Sequence, residues 1–273
     1  MAGFCFRLLV LLVITTTTLA EDIPEHCGEE HKSEMVGNGD TEGCKVTDGQ
    51  KSVKKVALVL GASGETGKEV LKQLVNRPEF TRIVSVGRRQ LDLPNDDPAY
   101  DRVEQKVIDF DNLDEYAAEF KGIDTAFCCL GTTRRKSGAE GFVKVDHDYV
   151  LHAAKLLKGN SCPEFHLLTS KGSNENSWFL FPSTKGKVEN DVTALGFDHL
   201  GIYRPGLLLC DREDRRFFEN ILQSVARYTD SSSWWSVPTG IVAKVMVINS
   251  IKAEKKIIEI VEHDRIVKMA QDY

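Results

Sequence analysis

Residues 61–67 read Gly61-Ala62-Ser63-Gly64-Glu65-Thr66-Gly67. They follow the apolar run Val56-Ala57-Leu58-Val59-Leu60 and precede Lys68-Glu69-Val70-Leu71-Lys72-Gln73-Leu74. The first run has the length and composition of a buried strand, and the last has helical spacing of its apolar positions. A strand that runs through a glycine-rich turn into a helix builds an anion site from backbone alone. Gly61 permits the tight turn, and Gly64 lets the main chain approach a pyrophosphate. Gly67 lets the helix pack closely on the strand, while the helix N-terminus directs free N–H groups at the phosphates. The order predicts a dinucleotide-phosphate site formed by Gly61, Ser63, Gly64, Glu65, Thr66 and Gly67.

A second apolar run, Ile83-Val84-Ser85-Val86, ends in Gly87-Arg88-Arg89. An acidic residue at this point accepts from the ribose hydroxyls of NAD, whereas basic residues accommodate a 2′-phosphate. Two arginines and no acid predict NADP(H). Working outward, short apolar runs alternate with amphipathic stretches, the pattern of a parallel sheet covered by helices. The expected strands are Val103 to Ile108, Thr125 to Leu130, Glu164 to Thr169 and Leu200 to Tyr203. Helices are expected over Leu113 to Phe120, Phe142 to Leu157, and from about Pro182 to Ala194. Leu130 and Gly131 close one strand where ligands sit in such sheets, outside the carboxyl ends. The fold class is therefore α/β, a Rossmann-type doubly wound parallel sheet with helices on both faces and a small C-terminal helical cap.

The chain has 273 residues, enough for one large α/β domain. Three segments are expected. In residues 1–20, Arg7 precedes the apolar stretch Leu8 to Ile14, and Thr15 to Ala20 follow before Glu21, which predicts a cleaved secretory signal or an N-terminal anchor. The uncharged run from Leu8 to Ala20 is too short for a stable membrane span. Residues 21–52 carry nine acids and three bases with almost no large apolar residue, the composition of a disordered linker. Residues 53–273 form the nucleotide-binding domain. That body holds 31 bases against 32 acids, so it offers no broad basic field for nucleic acid. Cys27 and Cys44 in the linker could pair in an oxidising lumen or stay free. Cys128, Cys129, Cys162 and Cys210 have no metal-ligand spacing and read as small buried hydrophobes.

Several runs together carry a resemblance. Besides the glycine loop and Gly87-Arg88-Arg89, they are Phe127-Cys128-Cys129-Leu130-Gly131-Thr132-Thr133-Arg134, Gly138-Ala139-Glu140-Gly141-Phe142-Val143, and Arg204-Pro205-Gly206 with Leu208-Leu209-Cys210-Asp211-Arg212. Over about residues 53–265 the chain resembles the HIV Tat-interacting oxidoreductase family, atypical short-chain reductases also described as metastasis suppressors. The resemblance implies NADPH held by Ser63, Gly64, Glu65, Thr66, Arg88, Arg89, Leu130 and Gly131, and also by Lys185, Leu208 and Arg212. It further implies a small carbonyl substrate, regulatory protein partners and a cytoplasmic address, in conflict with the secretory reading of residues 1–20.

The chemistry departs from the short-chain reductase pattern at one position. These enzymes use Tyr-x-x-x-Lys on a helix, where the tyrosine exchanges the proton and the lysine holds the ribose and lowers the tyrosine pKa. Here the stretch is Phe181-Pro182-Ser183-Thr184-Lys185: Lys185 is present, but Phe181 has no proton to exchange. Three readings stay open. The acid is replaced by Ser170, Thr169, Ser183 or a water on Lys185; the pocket binds NADPH without turning it over; or Tyr203 or Tyr149 serves. Arg134-Arg135-Lys136 could meet an acidic substrate or simply be solvated. Trp234-Trp235 reads as core packing, a partner patch or a lid.

Overall fold

The computed structural model describes residues 54–94, 96–209 and 235–272. The expected signal segment, the linker with Cys27 and Cys44, and Cys210, Arg212 and Trp234 lie outside the described residues. In chain order the elements are β1 (Lys55–Leu60), α1 (Glu65–Val75), β2 (Phe80–Gly87), β3 (Val103–Val107), a 3₁₀ stretch (Phe110–Phe120) and β4 (Thr125–Cys128). Then come α2 (Arg134–Val143), a π turn (Lys144–Asp148), α3 (Tyr149–Gly159), β5 (Glu164–Leu168), α4 (Leu180–Thr193) and β6 (His199–Arg204). The C-terminal part adds β7 (Leu207–Leu209), β8 (Ser236–Pro238), α5 (Thr239–Ile251), β9 (Ile258–Glu262) and α6 (His263–Gln271).

The strands form a seven-stranded sheet in the order β3-β2-β1-β4-β5-β6-β9, and β7 and β8 pair separately. Every pairing in the large sheet is parallel. Parallel strands are covered on both faces, which is why β1 and β4 are continuous apolar runs and not alternating ones. Ala57, Leu58, Val59 and Leu60 are fully buried. One face packs on α3, α4 and the 3₁₀ stretch through Leu58, Leu113, Val150, Leu157 and Val188. The other packs on α1, α5 and α6 through Val59, Val70, Leu74, Met246 and Ile266. The strand order reverses between β1 and β4. This is the switch point where the carboxyl ends of the strands leave a crevice for a ligand.

The expected elements are present, with three differences. Residues 110–120 form 3₁₀ turns instead of a regular helix, because Asn112 and Tyr116 take non-helical backbone angles and Asp109 caps the Asp111 N–H. The long helix after β4 contains a π turn at Lys144–Asp148. The C-terminal helices bring with them β9, a seventh sheet strand whose alternating exposure suits an edge and which sequence reading did not separate.

Between β5, β6 and α5 the core holds a polar network. His166 Nδ1 lies 2.9 Å from the Tyr203 hydroxyl, which also accepts from Asn249 Nδ2 at 3.0 Å. Asn249 in turn donates to Glu259 at 2.7 Å. Burial pushes the His166 pKa down to about 4, against the opposing pull of nearby Glu164. In the unfolded chain that imidazole titrates near 6.5. Between those values the unfolded state binds a proton that the folded state does not. Stability is therefore lost as pH falls through that window, by up to about 3 kcal/mol. Urea midpoints measured from pH 8 to pH 4 should show this loss, and His166→Gln should flatten it.

Candidate functional site

The crevice is built first by the glycine loop. Gly61 has φ +82°, and a Cβ there would meet the Cys129 carbonyl oxygen at 2.7 Å. A Cβ on Gly67 would meet the Gly61 oxygen at 2.2 Å. The protein itself thus demands both glycines, one for backbone conformation and one for the turn lying against α1. Gly64 is under less internal pressure: its Cβ would meet only the Gly61 oxygen, at 3.3 Å. The Gly64 N–H donates to that oxygen at 2.9 Å. Gly64 is also the N-cap of α1 and gives it no side-chain cap, so the first N–H groups of an 11-residue helix are left to an anion. A loop whose middle glycine serves its outer side fits a pyrophosphate.

Beside this loop an open cleft of about 450 Å³ lies between α1 and the segment after β2, lined by Ser63, Lys68, Lys72, Arg89, Leu91 and Tyr100 among others. Arg88 and Arg89 are both exposed at the end of β2. The segment that carries them is pinned by Gln105. Its Oε1 accepts from the Leu91 N–H at 2.6 Å, and its Nε2 donates to the Leu91 oxygen at 3.2 Å. Lys68 and Lys72 enter the cleft from α1, one helical turn apart. Sequence reading passed over both, although their i, i+4 spacing places them together on one exposed face of α1.

The second part lies at the carboxyl ends of β4 and β5. Leu130 is half-buried and Gly131 is open to solvent. Lys185 on α4 is 6% exposed, and its Nζ lies 2.7 Å from Oδ1 of Asp146, itself 1% exposed. The other Asp146 oxygen accepts from the Thr132 N–H at 2.8 Å. One carboxylate thus fixes the strand end that carries Gly131 and the ammonium that faces it. Gly131 is part of the fit, since a Cβ there would stand 3.4 Å from Asp146 Oδ1 and 4.0 Å from Lys185 Nζ. Asp146 was missed in the sequence. Its signal is that it holds a core position of the stripe Phe142, Asp146, Val150, where an apolar residue belongs.

The hydroxyls proposed as replacement acids separate cleanly. Thr169 donates to Glu189 Oε1 at 2.5 Å, and Glu189 also binds Arg204. Ser183 donates to the Glu175 oxygen at 3.0 Å. Ser170 Oγ is shielded from solvent and has no hydrogen-bond partner among the described residues. The other tyrosines are committed elsewhere: Tyr203 to His166 and Asn249, and Tyr149 to Asp111 at 2.5 Å. Phe181 precedes Lys185 by one helical turn, so both lie on one face of α4. Its ring is 48% exposed and stacks on Phe142 at 5.6 Å. Leu208 in β7 is half-buried against the second core face. Cys128 is buried, and that burial pushes its thiol up to about 12. Trp235 is half exposed, with Lys171 Nζ 5.1 Å above its ring.

Comparison with known proteins agrees with this geometry. Residues 55–157 match the family model described as Semialdehyde dehydrogenase, NAD binding domain. Among solved structures, MoeE5 in complex with UDP-glucose and NAD is similar at a TM-score of 0.58 and 14% identity, over 80% of this chain and 81% of that one. A short chain dehydrogenase family protein from Francisella tularensis is similar at 0.56 and 13%, over 78% and 99%. These likenesses show the fold. Closer in sequence, Protein FMP52, mitochondrial, of Candida glabrata is 34% identical over 64% of this chain and 79% of its own length. The fungal relatives are named as mitochondrial proteins, which overturns the secretory reading of residues 1–20. Protein HTATIP2 of Rattus norvegicus is 42% identical over 236 residues, covering 84% of this chain and 94% of the rat protein. That identity, over 84% of this chain and 94% of the rat protein, together with a nicotinamide dinucleotide-binding domain at residues 55–157, places this chain in the family of Protein HTATIP2.

Proposed function

We propose that the chain binds NADP(H) in an oxidoreductase fold whose turnover is weak or absent. The observation that carries this reading is the pairing on α4. Phe181 stands one turn before Lys185, and the buried Lys185 ammonium is already matched by Asp146 at 2.7 Å. In a short-chain reductase the cofactor supplies the hydride, and the protein must deliver a proton to the developing alkoxide. Here the residue at the acid's place has no proton. The lysine that would tune such an acid spends its charge on a carboxylate, though its remaining N–H groups can still hold a ribose. Ser170, with its unpartnered hydroxyl, is the substitute best placed to donate to a carbonyl oxygen, and Lys185 and Thr169 complete the proposed site around it.

NADP(H) is favoured over NAD(H) by Arg88 and Arg89, with Lys68 and Lys72 adding charge to the same cleft. Fluorescence titration of the full chain tests this directly. Arg89→Ala should weaken NADPH by about 10- to 100-fold, the worth of a charge-assisted hydrogen bond, and leave NADH within about threefold. Equal losses for both cofactors would sink the preference. A pocket that binds without turnover suits a regulatory protein whose partners respond to NADPH occupancy. The names of the fungal relatives support a mitochondrial address for this chain too.

A further inference from the structure

At the mouth of the site the sequence Trp178-Phe179-Leu180-Phe181 places four large apolar residues in a row, and none of them is buried. Trp178 is 100% exposed and Phe179 70%. Soluble proteins rarely leave contiguous apolar surface of this kind without a use. The stretch is not a loose tail. The Asn174 N–H donates to the Pro182 oxygen at 2.9 Å, so the segment between β5 and α4 is tied to the first turn of that helix. The same segment begins, at the carboxyl end of β5, with a polar group left unmatched: Ser170 Oγ, shielded from water and without a partner among the described residues. A buried donor left unmatched is unfavourable until a ligand satisfies it.

We propose that the site takes an apolar carbonyl compound, an aromatic or long-chain ketone or aldehyde. Its oxygen accepts from Ser170 Oγ, and its hydrocarbon body lies along Phe181 and out to Trp178. This rests on the nicotinamide-dinucleotide reading above and names the ligand class of the same site. A nucleotide sugar, the ligand of MoeE5, needs polar partners for its hydroxyls. The rim offers it mostly hydrocarbon, with the Trp178 indole N–H as a single side-chain donor.

Full-length protein is first titrated with NADPH. Then, with and without NADPH, a series of 2-ketones from 2-butanone to 2-nonanone is followed by calorimetry, beside UDP-glucose. Affinity should rise by about fourfold per added methylene, the worth of burying one CH₂ group. Trp178→Ser, at a fully exposed position that the fold does not need, should flatten that slope. Ser170→Ala should lower every member by about fivefold, one neutral hydrogen bond, and leave the slope unchanged. A flat series on NADPH-loaded protein overturns the proposal, as does tight UDP-glucose binding with the ketones silent. If NADPH fails to bind and the ketone slope persists, the ligand class stands and the cofactor reading falls.

Discussion

Phe181→Tyr is expected to raise NADPH oxidation with 2-nonanone by about 10²- to 10⁴-fold, the range contributed by a positioned general acid. The new hydroxyl would stand one turn before Lys185 on the same face of α4, and the wild-type ring is half exposed, so one added oxygen meets no packed neighbour on its open side. The reaction balances simply: a hydride goes to the carbonyl carbon and the tyrosine proton to its oxygen. The gain should lie toward the lower end, because Asp146 already matches the Lys185 charge that would otherwise stabilise a tyrosinate. Adding Asp146→Asn to Phe181→Tyr should then raise the rate further and move the acidic limb of the pH profile. If Phe181→Tyr leaves the rate at the wild-type level while NADPH and ketone still bind, Phe181 does not occupy the acid's place.

The second large effect concerns stability. Asp146→Ala is expected to cost about 3–5 kcal/mol in urea unfolding, since it leaves a buried ammonium without its counter-charge and the Thr132 N–H without its acceptor. Lys185→Met alone should cost a comparable amount, by stranding the carboxylate. The informative variant is the pair. Asp146→Leu with Lys185→Met removes both charges, and most of the loss should return, because apolar replacements of a buried ion pair are often neutral. The double variant should fold and yet bind NADPH poorly, for want of the ammonium proposed above to hold the ribose. Additive losses in the cycle would mean that the two groups do not act as one unit.

How much of this was legible in the sequence depends on where the deciding physics lies. The glycine loop was legible because its constraints are local: Gly61 and Gly67 are forced by contacts within the turn and with the strand beside it. The central strands were legible because burial on both faces writes an unbroken apolar run. The 3₁₀ stretch was not, since the apolar spacing of Leu113 and Phe120 suits either helix type and the break comes from backbone angles at Asn112 and Tyr116. Lys185 was found by its spacing from Phe181, but its partner lies on another element, 39 positions earlier, and only the fold brings Asp146 to it. The separation of Ser170 from Thr169 was equally out of reach. Adjacent hydroxyls look alike in a sequence, and it takes Glu189 on α4 to claim one and leave the other. The secretory reading of residues 1–20 failed for a different reason. A short apolar run behind one arginine has a composition that several addresses share, and the mitochondrial names of the fungal relatives decided against the first of them.

Gly186 sits directly after Lys185, and a Cβ there would fall 2.1 Å from the Glu175 nitrogen and 2.4 Å from the Asn174 carbonyl carbon. Backbone rests on backbone at that point, with no side chain between them to act as a bearing. The aromatic rim and the helix that carries the buried ammonium are therefore one mechanical part, and a hinge has nowhere to sit between them. Widening the mouth means displacing the amino half of α4, and with it the grip on the strand end at Gly131. Entry of a ligand and the proposed hold of Lys185 on a cofactor ribose are in this way geared to each other.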